Sequence, residues 1–172
     1  MKRLTVLRHA KSSWAEPNAD DFDRPLNERG WKAALRIGRE LKHRKMTFDL
    51  ALASPAARVR QTLDGMQEGY GEFAFELRFD GRIYMALAST LLGLVRDLPE
   101  SAVAALIVGH NPGLERLVVS LTRDDDHHLR RRVQEKFPTA ALAVLELQAN
   151  TWKDVDEGSG RVAELMLPRD LD

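Results

Sequence analysis

The 172-residue sequence contains no cysteine, which excludes disulfide bonds, thiolate metal ligands and cysteine nucleophiles together. It also lacks any apolar run near the roughly 20 residues that a membrane-spanning helix requires. The apolar run at residues 4–7 is too short for the core of a signal peptide. These absences predict a cytoplasmic protein that does not insert into a membrane, in keeping with a reducing compartment.

The sequence has no surplus of charge of either sign, because 26 Lys and Arg residues balance 26 Asp and Glu residues. Binding to nucleic acid or to an anionic membrane surface normally depends on a basic surplus, so we expect neither partner. A zero net charge is still compatible with local clusters of one sign. The length predicts a single domain over residues 1–172, which would bury roughly 70% of the surface that its unfolded chain exposes.

Apolar strands alternate with amphipathic helices along the chain. The predicted strands cover residues 4–7, 49–53, 73–79, 103–108, 141–147 and 161–167. The predicted helices cover residues 28–45, 54–67, 89–98 and 113–121, with Asn27 as the N-cap of the first and Ser54 and Pro55 opening the second. This alternation predicts an α/β protein, a three-layer α/β/α sandwich with a mostly parallel central sheet. The last two strands are also compatible with antiparallel pairing.

Unusual polar residues follow three of the predicted strands. Arg8 and His9 follow the first, Arg58 comes shortly after the second, and His110 follows the fourth. Parallel strands bring their carboxyl ends to one edge of a sheet, where ligands bind, so we expect these side chains to converge. Arginine matches phosphate oxygens with a planar fork of donors, and helix N-termini also favour anions. The pattern predicts a phosphoryl pocket, with the long loop at residues 10–25 beside it.

Three motifs resemble those of the histidine phosphatase superfamily, which includes phosphoglycerate mutase. They are Arg-His-Ala at residues 8–10, Ser-Pro-Ala-Ala-Arg at residues 54–58 and Val-Gly-His-Asn-Pro at residues 108–112. Arg-His-Ala-Lys-Ser at residues 8–12 and Arg-Pro-Leu-Asn-Glu-Arg-Gly at residues 24–30 are similar to the SixA branch of phosphohistidine phosphatases. The resemblance implies a phosphoglycerate mutase-like fold and a phosphatase that needs no cofactor.

The resemblance also implies a role for each site residue. His9 would attack phosphorus and form a phosphohistidine that water then hydrolyses. Arg8, Arg58 and His110 would hold the equatorial phosphoryl oxygens, and Ser12 is a further candidate donor to phosphate. Neighbouring cations would keep His9 neutral, and a hydrogen bond to a backbone carbonyl would orient its ring. We expect no metal site, because the two arginines would repel a cation.

Two features depart from the superfamily pattern. Ala10 replaces the usual glycine, a small change that tests the space around the backbone. No motif identifies the acid that would protonate a leaving group, although Asp80 is a candidate general acid and Glu76 lies in the same part of the chain. A phosphoramidate needs less of this help, because its imidazole can depart already protonated. This difference favours protein phosphohistidine as the substrate.

Other functions remain open at the level of sequence. The partner would be a phosphorylated protein or, in the first alternative, a small phosphate ester cleaved by a phosphomonoesterase. The second alternative is a catalytically weak module that only binds phosphate. The run at residues 130–132, Arg-Arg-Arg, is either a solvated face or a docking site for an acidic protein substrate. We expect His43, His127 and His128 on the surface, because none of them follows a strand.

Overall fold

The computed structural model describes residues 1–171, and six strands and five α-helices lie within them. The strands are β1 (Lys2–Arg8), β2 (Leu50–Ala53), β3 (Glu76–Phe79), β4 (Ala104–Gly109), β5 (Leu142–Leu147) and β6 (Gly160–Met166). The helices are α1 (Glu28–His43), α2 (Ala57–Tyr70), α3 (Ala88–Arg96), α4 (Gly113–Leu121) and α5 (Leu129–Glu135). All predicted strands and helices are therefore present, and α5 is an addition.

The six strands form one sheet in the order β3-β2-β4-β1-β5-β6. The pairs β1–β4, β2–β4 and β2–β3 are parallel, while β1–β5 and β5–β6 are antiparallel. The prediction of a mostly parallel sheet is confirmed, and the last two strands pair antiparallel. Two reversals give β6 the direction of β1, so the carboxyl ends of β1, β2, β4 and β6 share one edge.

Helices cover both faces of this sheet. One apolar cluster joins the sheet to α1 and α2 and includes Ile37 and Met66. The other joins it to α3, α4 and α5 and includes Leu117. Successive residues of β1 point to opposite faces, so Val6 belongs to one cluster and Leu7 to the other. The three-layer α/β/α prediction is confirmed.

The two predicted helix starts had different outcomes. The side chain of Asn27 caps α1 by accepting a hydrogen bond from the backbone N–H of Gly30 at 2.9 Å, as expected. The prediction for Ser54 and Pro55 was wrong, because α2 begins at Ala57 and has no side-chain cap. The hydroxyl of Ser54 instead lies 2.8 Å from the side chain of His110.

One segment differs from its predicted structure, and a second, for which none was predicted, is partly helical. The predicted third strand is shorter, because Phe73 and Phe75 stack on each other with ring centroids 4.7 Å apart instead of pairing with β2. Their alternating pattern therefore reflects side-chain packing. The segment at 122–138 contains α5, a short helix whose buried Val133 packs against α4 and the sheet.

Within residues 1–171, no helix has the length and apolar character needed to cross a bilayer.

Candidate active site

Two histidines meet at the carboxyl edge of the sheet. The last residue of β1, Arg8, pairs with the last residue of β4, Gly109, so the residues that follow them are also neighbours. Those residues are His9 and His110, and their ring centroids lie 5.3 Å apart. The sequence places them 101 positions apart, and only the pairing of β1 with β4 brings them together. The predicted convergence of the two histidines is present.

Arg58 reaches the same edge from the first turn of α2. Its side chain is 2% exposed, and its charge acts on both histidine rings. The guanidinium donates to the backbone carbonyl of Asp21 at 2.6 Å and to its carboxylate at 3.0 Å. The position of Arg58 in the first helical turn agrees with the prediction, but its carboxylate partner was not expected.

One hydrogen bond determines the tautomer of His9. Its Nδ1 lies 2.7 Å from the carbonyl oxygen of Ala10, and a carbonyl only accepts, so Nδ1 carries the proton. The lone pair of the neutral ring is therefore on Nε2. The backbone N–H of Ala10 donates to the hydroxyl of Thr62, which donates to the carbonyl of Arg58. The methyl group of Ala10, which stands where the superfamily motif has glycine, is fully buried in the apolar cluster that includes α1 and α2.

Both histidines are held in the neutral form. Burial is the main cause that lowers the pKa of His9 to about 4, and the positive charges of Arg58, Arg8 and Arg24 contribute less. Burial also lowers the pKa of His110 to about 3, followed by the charge of Arg58. The cationic neighbours of His9 were expected to keep its ring neutral, whereas loss of solvent lowers its pKa more than they do.

Unpaired polar atoms concentrate at this edge. Four buried side-chain nitrogen or oxygen atoms lack a hydrogen-bond partner within the described residues 1–171. Three of them are Nε of Arg8, Nε of Arg58 and Nδ1 of His110, and the fourth is the hydroxyl of Thr5. Buried polar groups normally find partners, so three nitrogens without one in a single cluster indicate a site built for a polar ligand.

Sequence reasoning missed three residues of the site. The carboxylate of Asp21 accepts hydrogen bonds from Arg58 and from the hydroxyl of Tyr84, and Arg24 pairs with it at 3.1 Å. Arg24 is 8% exposed and lies over the ring of Trp14, with its guanidinium carbon 3.6 Å from the ring centroid. The motif at residues 24–30 was a signal for Arg24, whereas nothing in the sequence distinguished Asp21 from its acidic neighbours.

Comparison with known proteins identifies the family. The family model of the histidine phosphatase superfamily (branch 1) matches residues 4–83. An uncharacterized protein of Mycobacterium tuberculosis, Rv1276c, is 33% identical over 165 residues, which cover 95% of this chain and 100% of that protein. The chain belongs to the histidine phosphatase superfamily.

Solved structures place this histidine phosphatase near the SixA branch. A crystal structure from Agrobacterium tumefaciens, assigned as phosphohistidine phosphatase SixA, is 32% identical with a TM-score of 0.81, and the match covers 97% of this chain and 98% of that one. A second structure with the same assignment, from Nakamurella multipartitia, is 26% identical with a TM-score of 0.83, covering 97% and 96%. The chain is therefore a SixA-type histidine phosphatase, and its relatives support phosphoryl hydrolysis as its chemistry.

The other two candidate site residues of this histidine phosphatase, Ser12 and Asp80, lie in different surroundings. The hydroxyl of Ser12 accepts a hydrogen bond from Arg24 at 2.8 Å, which places it beside the pocket, and its role as a phosphate donor stays a prediction. Asp80 follows β3 and pairs with Arg82 at 2.7 Å. A hydrogen bond from Arg82 lowers the pKa of Asp80, which holds the carboxyl ionised. These contacts give no support to Asp80 as a general acid.

The remaining histidines of this histidine phosphatase are on the surface, as predicted. His43, His127 and His128 are all exposed. Of the arginine run, Arg130 donates to the backbone carbonyl of Val119 at 3.0 and 3.1 Å, while the other two are exposed. The run lies on α5, outside the cluster of residues around His9.

Proposed function

We propose that this protein is a metal-independent phosphatase that removes the phosphoryl group from protein phosphohistidine. Nε2 of His9 bonds to phosphorus while the bond from phosphorus to the substrate imidazole breaks. The substrate ring, protonated on its other nitrogen, leaves as neutral imidazole. Water then attacks phosphorus, which releases phosphate and restores neutral His9.

The observation that carries this proposal is the protonation state of His9. A nucleophilic imidazole must present a lone pair, and the hydrogen bond to Ala10 leaves that lone pair on Nε2. The pKa near 4 keeps the ring neutral at physiological pH, so no base has to activate it. A histidine with a purely structural role would need neither feature.

The surrounding nitrogens suit the charge of the transition state. Phosphoryl transfer spreads negative charge over three equatorial oxygens, and catalysis consists largely of positioning and electrostatic stabilisation. Arg8, Arg58 and His110 each contribute a buried nitrogen without a protein partner. We assign these three residues to the equatorial oxygens. Two guanidinium groups then supply the positive charge that a metal ion supplies in other phosphatases.

The ionised carboxyl groups of Asp21 and Asp80 favour phosphohistidine over a phosphate ester as the substrate. An ester releases an alkoxide and needs a proton donor, whereas imidazole does not. Hydrogen bonds from Tyr84 and then Arg58 lower the pKa of Asp21 to about 2, despite the opposing effect of partial burial. The pKa of Asp80 is lowered as well. Both carboxyl groups are therefore held in the form that cannot donate a proton.

The surroundings of the pocket favour a protein substrate over a small metabolite. Trp14 and Phe22 belong to the loop that carries Asp21, and they are 75% and 38% exposed. Met85, which contacts Arg58, and Leu87 are 50% and 67% exposed. Large apolar side chains grouped around a polar site are typical of protein–protein contacts.

The test is phosphate release from a phosphohistidine-bearing protein, compared with an aryl phosphate. We expect faster release from the protein and a loss of about a thousandfold or more in His9→Ala, because the nucleophile is gone. The matched control is His43→Ala, since His43 is exposed at the end of α1. Mass spectrometry of enzyme quenched at alkaline pH, where a phosphohistidine survives, should detect one added phosphoryl group in the wild type and in His43→Ala but none in His9→Ala.

Four outcomes would contradict the proposal. Preference for the aryl phosphate would indicate a phosphomonoesterase, the first alternative. Tight binding of phosphate without turnover of either substrate would indicate a binding module. Strong inhibition by a chelator would show that a metal takes part, and full activity of His9→Ala would exclude the covalent mechanism.

A further inference from the structure

A second concentration of positive charge lies next to the pocket, in a groove of about 530 Å³. The groove combines residues from the loop after β1, from α1, from the segment before β5 and from the segment after β6. Its basic residues are Lys11, Arg29, Lys32, Arg36, Lys136 and Arg169. No Asp or Glu within the described residues 1–171 lines it. We call these six residues the basic groove.

The basic groove shares the catalytic edge of the sheet. Leu7 pairs with Leu142, which pairs with Met166, the last residue of β6. The groove is lined by Leu167 and its neighbours directly after Met166, two strands away from β1. Since neighbouring strands are about 4.8 Å apart, this wall lies roughly 10 Å from the end of β1.

Two short connections link the basic groove to His9. Lys11 lines the groove and directly follows Ala10, whose carbonyl orients the His9 ring. Thr139 lines it on the other side and precedes Ala140, whose backbone N–H donates to the carbonyl of His9 at 3.0 Å. A chain that extends from the pocket across this edge of the sheet would therefore enter the groove.

Most of the groove cations have no partner of opposite charge. Lys32 pairs with Glu28 at 3.2 Å, and Arg169 lies 3.9 Å from Asp170. The other four form no ion pair within 4.0 Å in the part of the chain that the structure covers; they are Lys11, Arg29, Arg36 and Lys136. In a chain of zero net charge, such a cluster creates a local positive field that attracts anions.

We infer that the basic groove binds an acidic segment of the phosphohistidine-bearing protein next to its phosphorylated histidine. This inference rests on the proposed function and adds the recognition of its substrate. It assigns substrate docking to α1 and the end of β6, whereas the sequence pointed to the arginine run at residues 130–132 as the alternative docking surface.

The form of the basic groove favours carboxylates spread along a peptide over a single phosphate. All six cations are exposed, and they come from four separate parts of the chain. Exposed cations interact weakly one by one but add up over several anionic groups. Leu167, Pro138 and Pro168 supply an apolar surface between them. A site for one phosphate would instead hold buried, fixed donors of the kind that surround His9.

The test compares two short phosphohistidine peptides, one with Glu and one with Gln around the phosphorylated residue. The groove variant is Arg29→Gln, Arg36→Gln and Lys136→Gln combined. We expect the wild type to prefer the Glu peptide at low salt and the variant to lose about tenfold in kcat/KM for that peptide alone. The loss should disappear near 1 M salt, where the screening length is about 3 Å.

The control removes the same number of cations elsewhere. Arg131→Gln, Arg132→Gln and Lys153→Gln change exposed residues outside the groove and the pocket. We expect this control to keep the Glu preference of the wild type. Equal melting temperatures of the variants would establish that each is folded.

The outcomes separate this inference from the proposed function. A Glu preference that survives in the groove variant would overturn the docking assignment, and so would an equal loss for both peptides. A Glu preference that only the control variant abolishes would move docking to the surface that carries Arg131, Arg132 and Lys153. If the wild type cleaves neither peptide but cleaves an aryl phosphate, the proposed function fails before the groove is tested.

Discussion

The pocket around His9 and the basic groove contain the same kind of residue in opposite environments. In the pocket, Arg58 is 2% exposed and bonded to Asp21, and its charge acts on the neighbouring histidines. In the groove, Arg29 and Arg36 are exposed and have no ion-pair partner within the described residues. One cation is held by its neighbours, whereas the other two are held by no ion pair.

The difference shows how burial determines what an arginine can do. A buried guanidinium acts through a low-dielectric surrounding, so it perturbs pKa values and stabilises charge at a defined point. An exposed guanidinium is screened by salt and water, so it influences association more than chemistry. We expect the pocket to control turnover and the groove to control substrate choice.

Among the effects that compare the pocket with the groove, the largest is expected for Arg58. Its replacement in Arg58→Ala should lower kcat by about a hundredfold to a thousandfold, because one preorganised donor to the phosphoryl oxygens is lost. Arg36→Ala should instead raise KM for an acidic peptide by a few fold. Steady-state kinetics of both variants would make this comparison. A change in KM alone for Arg58→Ala would show that the two regions do not differ as proposed.

The next effect concerns stability at acid pH. Burial lowers the pKa of His9 from 6.5 to about 4, so the unfolded chain binds more protons than the folded one between these values. The free energy of unfolding is therefore not reduced by His9 above about pH 6.5, and it falls as the pH drops toward 4. The shift corresponds to roughly 3 kcal/mol. Urea unfolding at several pH values should show a shallower pH dependence in His9→Phe than in the wild type.

A parallel measurement tests the same pKa through activity. The limb of the kcat/KM profile that reports His9 in the free enzyme should lie near pH 4, far below the ordinary value of 6.5. Titration of the His9 ring by NMR gives the value independently of substrate ionisation. A pKa near 6.5 for this ring would contradict the burial that the structure shows.

The smallest expected effect comes from Asp21. Its carboxylate competes with a bound oxyanion for Arg58, in an ion pair whose acidic partner is 47% exposed. Pairs of this kind contribute up to about 1 kcal/mol, so Asp21→Asn should tighten inhibition by tungstate about fivefold. The matched control is Asp23→Asn in the same turn. Weaker inhibition in Asp21→Asn would show that Asp21 is needed to orient Arg58.

The sequence was a good guide to elements whose signal is local. The continuous apolar run at residues 103–108 predicted a buried strand, and β4 is one. Asn27 correctly predicted the start of α1, because the cap is a local contact between its side chain and the backbone N–H of Gly30. Ser54 was misread, because its hydroxyl is used by His110 from a different strand end. A short motif does not reveal which residue from a distant part of the chain will hydrogen-bond to a given side chain.

The site residues also divide into those that local motifs predict and those that only the fold brings into the site. Motifs identified Arg8, His9, Arg58 and His110 as candidates, and the order of strands implied that they would meet. Asp21 was not predictable, because it is one of several acidic residues in a long loop. Its importance depends on where that loop folds: a bridge between Ser12 and Leu26 closes the loop, and the backbone N–H of Leu26 donates to the side chain of Gln61 on α2.

The sequence by itself determined the alternation of strands and helices, the zero net charge and the residue types available to the site. Only the tertiary structure decided which charges are buried, which nitrogen of His9 has the lone pair, and that six scattered cations form one groove. The physical reason is that patterns and caps act over a few residues, whereas solvation and charge–charge contacts depend on groups brought together from distant parts of the chain.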